Sequence, residues 1–315
     1  MANLLESLLL LLTFIQTLCL AHSPNLREIH RFPNGTWVEN IAVRPNGNLL
    51  VAVLSTAELW EIDPSIPSDP SSAHLVHHFD GAEDADGITE LSPDIYAVIA
   101  SNSVWTIDLR NHGPAKSTLI AKLPASYLNG IAALDEGNAV AITDSELGVI
   151  WYLDIRTGSY SVIHQHETMA ANNDMGLLLG VNGLKIVNDY MYYTNSPKRI
   201  FCRVRIDTHT GRALGAYEVI SNDTRADDFA IGPHGVAYLA GLIDDVVIRV
   251  FPNGHHKVIA GSKGSTDLMT ATSAAFGRTQ RDSNVLYITT GGETKLPVHG
   301  TSTRGGKIMA LSVEF

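Results

Sequence analysis

Six side chains able to offer oxygen recur at the head of short apolar runs: Glu39, Asp86, Asn129, Asn182, Asp227 and Thr272. Each stands in the same phrase of a polar residue, a second residue that is often small, and then hydrophobic positions, as in Asn129-Gly130-Ile131 and Asn182-Gly183-Leu184. Successive copies are separated by 47, 43, 53, 45 and 45 residues. Three of the six are carboxylic and none is His or Cys. Carboxylates that converge in a partly dry site repel one another, and a hard divalent cation relieves this by taking oxygen ligands. Carboxylate and amide oxygens favour Ca2+, Mg2+ or Mn2+ over zinc. The same Asn-Gly and Asp-Gly pairs also serve as turns, so a purely structural reading stands beside the chemical one.

The elements that must position these residues follow from the period. About 45 residues is the length of a four-stranded propeller blade. The first unit runs from Asn40-Ile41-Ala42-Val43 through the turn Arg44-Pro45-Asn46-Gly47 to the apolar run Leu49 to Leu54, then to the alternating stretch Glu58 to Asp63. Its third strand recurs as Val104-Trp105-Thr106-Ile107, Ile150-Trp151-Tyr152-Leu153, Val204-Arg205-Ile206 and Val247-Ile248-Arg249-Val250. No stretch keeps a helical period over three turns. The prediction is an all-β chain, a single six-bladed β-propeller over residues 22–315. Leu26 to Phe32 alternates at period two and is expected to complete the last blade beside the C-terminal strands. The innermost strand of each blade starts at one face of the central channel, so the six polar residues should ring that channel. Two segments interrupt the period: a Pro/Ser-rich loop at 64–79, and residues 164–180, which lengthen the third repeat and run into Asn182 as a lid or a long loop.

Composition narrows the classes. The 315 residues carry 22 basic and 33 acidic side chains, a formal charge of −11, with 45% hydrophobic and 17% charged residues. That suits a globular fold and lacks the basic footprint that nucleic-acid binding requires. Leu8 to Leu20 is nearly all apolar and is followed by Ala21, so residues 1–21 read as a secretory signal peptide cut before His22, without a stable membrane span afterwards. The leader carries Glu6 and no Lys or Arg after Met1, which leaves a signal anchor as the alternative. The sequons at Asn34 and Asn222 fit glycosylation on a secretory route. Of the two cysteines, Cys19 and Cys202, the first falls in the leader, and Cys202 reads as a small buried hydrophobe.

Other constellations are weak. No Gly-x-Ser-x-Gly occurs, and Gly261-Ser262-Lys263-Gly264 lacks the P-loop spacing. His77-His78 and His255-His256 are adjacent pairs that would point to opposite faces of a strand. His164 and His166 read as surface residues. Asp144, Asn195 and Thr290 follow the second strands as a second tier, and the sequence leaves open whether they reach the pocket.

Glu39 before the first apolar strand, Asn182-Gly183-Leu184, and Asp227 one repeat later resemble the metal triad of the senescence-marker-protein/gluconolactonase-like six-bladed propellers. The resemblance implies a divalent metal, commonly Ca2+, on Glu39, Asn182 and Asp227, with Asn129 touching substrate. Two departures, Glu39-Asn40-Ile41 for Glu-Gly-Pro and Asp227-Asp228-Phe229 for Asp-Gly, turn the expectation away from ordinary lactone hydrolysis. Within this family the whole chain is similar to fungal hetero-Diels–Alderases, which join a tropolone-derived quinone methide to a humulene-type terpene. That resemblance implies small apolar substrates, with Glu39, Asn129 and Asp227 catalytic and Asp86, Met175, Leu177, Leu178, Phe229 and Thr272 lining the substrate site. Such a reaction needs two partners held in one geometry and a hydrogen-bond donor. A metal-dependent lactonase or esterase, with Asp227 or a bound water as base or nucleophile, and a non-catalytic binding propeller are the alternatives.

Overall fold

The computed structural model describes residues 26–111, 113–293 and 304–315. The expected leader, residues 1–21, lies outside them. Among the described residues the strands β1 to β24 form six four-stranded antiparallel sheets, and there is no α-helix. The inner strands are β2 (Val38–Val43), β6 (Ile88–Ser92), β10 (Leu128–Leu134), β14 (Val181–Val187), β18 (Phe229–Ile231) and β22 (Ala271–Phe276). Five blades are built from consecutive strands. The sixth takes β22, β23 (Val285–Thr290) and β24 (Lys307–Ser312) from the C-terminus and β1 (Leu26–Arg31) from the N-terminus as its outer strand. The alternating N-terminal segment therefore closes the ring, as expected, and no central blade is left with a free inner edge.

The core is divided into six wedges, each between neighbouring blades. Ala97, Ile99, Leu128 and Ile142 pack between the second and third blades, and Tyr238, Ala271, Leu286 and Met309 between the fifth and sixth. Burying each such Leu or Ile contributes roughly 1.5–3 kcal/mol, and none of it is available to an isolated blade. Cys202 sits in one wedge with no exposed surface, and burial pushes its thiol up to about 12. It is a packing residue.

The polar phrase has a structural meaning that its turn-like look hides. In four blades the pairing of first and second strands slips at the phrase: around Glu39, Asn129-Gly130, Asn182-Gly183 and Thr272-Ser273. Such a bulge re-aims side chains and frees a backbone N–H. Threonines on the second strands take up those N–H groups: Thr143 Oγ1 accepts from Gly130 (2.7 Å), Thr194 Oγ1 from Gly183 (2.9 Å) and Thr289 Oγ1 from Ser273 (3.1 Å). The hydroxyls of Thr143 and Thr194 then donate to the backbone of the next blade, at Asn182 O (2.7 Å) and Asp227 O (2.5 Å). Blades approach so closely here that a Cβ on Gly87 would lie 2.3 Å from Asn129 O, and one on Gly183 2.4 Å from Asp228 Oδ1. Glycine at these positions answers to close approach.

One reading changes outright. His164 is buried, its ring nitrogens 2.8 Å from the Tyr217 hydroxyl and 2.7 Å from Gly211 O, while His166 stacks on Tyr217. The pair pins the outer part of the third blade to the fourth, with His164 buried and His166 partly exposed.

Candidate active site at the channel mouth

The side chains of Glu39, Asp86, Asn129, Asn182 and Asp227 are 5% exposed or less. Their carboxyls are close enough to act on one another. Burial raises Glu39 to about 7, with help from Asp228 and Asp84 and against the hydrogen bond from Trp37. Burial likewise holds Asp227 well above the usual carboxylate range, reinforced by Glu39 and Asp228 and opposed by Asn182. Asp86 is raised by burial, by Asp84 and by Glu39, although the Tyr127 hydroxyl donates to its Oδ1 at 3.2 Å. Its Oδ2 is buried without a partner. The ring is thus a set of acids that favour holding protons.

Three contacts orient it. The Trp37 indole N–H donates to Glu39 Oε2. Asn182 Nδ2 donates to Asp227 Oδ1 (2.5 Å) and to Ser196 Oγ (3.0 Å), and the Ser196 hydroxyl in turn donates to Ala226 O. Asn182 Oδ1 is left buried without a partner. Asn129 fixes the backbone, its carbonyl accepting from Gly87 N at 3.0 Å, and its side chain makes no hydrogen bond among the described residues.

One position further along each inner strand, three blades carry Gly87, Gly130 and Gly183, while the others carry Asn40, Asp228 and Ser273. The side chains of those three meet: Asn40 Nδ2 and Ser273 Oγ both donate to Asp228 Oδ2, at 3.1 and 2.9 Å, and Lys185 Nζ joins it at 2.5 Å. This cluster forms a polar floor beneath the acids. The substitutions of Gly by Asn40 and Asp228 that set this chain apart in sequence are the ones that build it.

Above the acids lies an apolar cap. Met175, from the segment inserted before β14, packs with Trp37, Leu54 and Leu242, loop residues of the first and fifth blades. Val181 and Met169 tie the base of the segment down, Val181 N donating to Met169 O at 2.9 Å, and Asn195 Nδ2 donates to Thr168 O at 2.9 Å. The inserted segment is therefore a lid seated over the channel. Asn195 serves the lid, and Asp144 accepts from the backbone N–H groups of Ser126 and Tyr127 in the loop that carries Tyr127.

Several expected site residues are elsewhere. Phe229 has no exposed surface and meets Phe201 edge-to-face at 5.0 Å inside the wedge between the fourth and fifth blades. Alternation explains it: Asp228 takes the floor position, so the next side chain turns into the blade. Thr272 is buried with its hydroxyl donated to Val38 O (2.7 Å), a stitch between blades. Leu177 and Leu178 are 44% and 46% exposed on the outer side of the lid, whereas Met175 faces inward. Asn34 and Asn222 are both exposed. Sequence reasoning missed Trp37, Asp84 and Tyr127. Each stands two residues before a ring position, on the same side of an extended chain, and that step of two was the available signal.

Oxygen chemistry at the ring is compatible with a hard cation, since Asn182 Oδ1 is aimed and unpartnered beside Asp227. Among the described residues, however, no group of three or more His, Cys, Asp or Glu side chains is arranged to hold a metal ion. Two surface concavities, of 470 and 180 Å³, lie away from the axis, one around Leu134, Asp135 and His209 and the other around Tyr192, Phe201 and Pro252. Neither touches the ring of acids. No described helix is long and apolar enough to cross a membrane.

No protein-family model matches the chain. It is 30% identical to a protein named hetero-Diels-Alderase asR5 from Sarocladium schorii, over 84% of this chain and 77% of that protein. It is also 30% identical to a protein named hetero-Diels-Alderase from a Phoma species, over 84% of this chain and 86% of its relative. Among solved structures it is similar to the calcium-binding protein regucalcin of Agrobacterium tumefaciens, with a TM-score of 0.65 at 16% identity over 91% of this chain and 93% of the other. That likeness concerns the propeller fold.

Proposed function

The chain belongs to the hetero-Diels-Alderase family, and from that premise we propose that it joins a tropolone-type quinone methide to a humulene-type alkene at the capped mouth of the channel. The observation that carries this reading is that the apolar cap and the ring of raised carboxyls meet at Trp37, which packs with Met175 and donates to Glu39.

In the cycloaddition the C=C–C=O unit of the quinone methide and the C=C of the alkene form one C–C and one C–O bond. The π electrons shift within the ring that forms, and no atom leaves. A donor on the carbonyl oxygen withdraws electron density from the heterodiene and matches it to the electron-rich alkene. Glu39 is suited to this. Trp37 occupies its Oε2, so its proton belongs on Oε1, and burial favours the protonated form below about pH 7. Asp227 and Asp86 supply the protonated surroundings, and the free side chain of Asn129 supplies a second polar contact. A single well-placed donor in such a site contributes about 3 kcal/mol, and holding both reactants together contributes several more. Trp37, Leu54, Met175 and Leu242 offer the terpene an apolar wall and exclude water.

A second reading rests on the unpartnered Asn182 Oδ1. Glu39, Asn182 and Asp227 would hold Ca2+ or a similar divalent ion, which would supply Lewis-acid polarisation of the carbonyl or of a lactone. The readings part in a simple assay. With a quinone methide precursor and a humulene-type olefin, the cycloaddition reading expects accelerated adduct formation that survives EDTA. Metal-dependent hydrolysis expects lactone opening that EDTA abolishes. The secretory route and glycosylation at Asn34 and Asn222 remain part of the proposal.

A further inference from the structure

We infer that Trp37 is a positioning residue that couples the lid to Glu39, an inference that rests on the donor role proposed for Glu39. Trp37 belongs to two structures at once. Its ring is one of the four buried residues of the cap, in contact with the cluster that includes Met175 of the lid. Its Nε1–H is the only hydrogen bond that the Glu39 carboxyl receives among the described residues. An indole fixed from above thus decides which carboxyl oxygen is engaged and which is left free.

The far side of the ring is equally confined. A Cβ on Gly291, in the loop after β23, would lie 2.5 to 2.7 Å from Cε3, Cδ2 and Cζ3 of Trp37. Real Cβ atoms do not come so near, so Gly291 provides the slot in which the indole lies. Its backbone N–H donates to Thr270 O at 2.8 Å, which holds the slot in place. With the lid seated, the indole is clamped between Gly291 and the cap. With Met175 withdrawn, the cap loses one of its four members and the indole is free to tilt in its slot. Lid closure thereby orients the acid as well as excluding water.

Three variants isolate the device. Trp37→Phe keeps a ring in the cap and removes the N–H. Gly291→Ala displaces the indole while leaving Leu54, Met175, Leu242 and Glu39 themselves unchanged. Met175→Ala loosens the lid from above. Trp37→Phe and Gly291→Ala should each lower kcat for adduct formation by about ten- to hundredfold, as misplacement of a reacting group does, with KM changed less than about threefold. In a Glu39→Ala background neither substitution should lower the rate further. In nitrogen-labelled protein, the Trp37 indole N–H resonance, recognised by its loss in Trp37→Phe, should move in Glu39→Ala, Gly291→Ala and Met175→Ala.

Undiminished kcat in Trp37→Phe, or a full additional loss on the Glu39→Ala background, would overturn the coupling. So would an indole resonance indifferent to Glu39 and Met175. If the wild type itself gives no acceleration, the functional reading fails, and the resonance alone then decides whether lid and acid are coupled.

Discussion

Asn182 donates to Asp227 Oδ1 at 2.5 Å and to Ser196 Oγ at 3.0 Å, and this leaves its own carbonyl oxygen buried with no donor to accept from. Ser196 cannot reverse the arrangement, because its proton is engaged by Ala226 O. An unpartnered buried oxygen beside raised carboxyls costs stability. Two agents relieve it: protons at low pH, and a cation once the acids ionise. Above neutral pH, millimolar Ca2+ should therefore raise Tm by roughly 5 °C over protein in EDTA, from the mass-action stabilisation expected well above Kd. Asp227→Asn should abolish the response. Equal Tm values in Ca2+ and EDTA would remove the cation from the account.

The raised acids make a signed prediction for pH. Glu39 holds its proton in the folded chain up to about 7, above its unfolded value of 4.5. The folded state therefore binds more protons between those two values, and stability is full below the lower one and falls as pH rises through the upper one. For Glu39 the loss is on the order of 3 kcal/mol, and Asp86 and Asp227 act in the same direction. Thermal unfolding across this range in metal-free buffer should show Tm falling toward alkaline pH, with a flatter curve for Glu39→Gln. Catalysis should follow the same protonation: wild-type acceleration should decline above about pH 7, while Glu39→Gln, with a permanent amide donor, should be weak and pH-independent. A wild-type rate that rises through neutrality would contradict the donor role.

Phe229 and Leu178 separate packing from lining. Phe229→Ala removes a ring buried against Phe201 and Leu239, and should cost about 3–5 kcal/mol in denaturant unfolding. Folded Phe229→Ala should keep the wild-type adduct ratio. Leu178→Asp, on the outer side of the lid, should change stability by less than about 0.5 kcal/mol and leave the adduct ratio unchanged. A shifted ratio in either variant would place the substrate against a surface that the structure assigns to the core or to solvent.

The propeller was legible because a six-fold period forces chemically similar residues to the same place. The polar phrase and the third-strand runs around Trp105, Trp151 and Ile248 fall one per blade, and the alternating Leu26 to Phe32 segment could pair only with the last. The candidate site was legible to the extent that it obeys the repeat: the carboxyls of Glu39, Asp86 and Asp227 act on one another, and Asn182 donates to Asp227. Phe229 misled because β18 has only three residues and Asp228 takes the floor position, so one step of alternation turned the ring into the wedge. Leu177 and Leu178 misled because a lid has two sides, and hydrophobicity does not say which is inward. Lys185 was hidden for a different reason: its partner Asp228 belongs to the next blade and comes within reach only when the two blades converge.

The central claim is that protonated carboxyls beneath the lid direct a cycloaddition, and stereochemistry tests it most directly. A quinone methide generated in place from a tropolone precursor should be trapped by a humulene-type olefin with and without the protein, both in EDTA at a pH near 6. The adducts should then be separated by stereoisomer. One stereoisomer should dominate with the wild type, and Glu39→Ala should return the mixture most of the way to the uncatalysed ratio. A wild-type mixture indistinguishable from the uncatalysed one would contradict the claim.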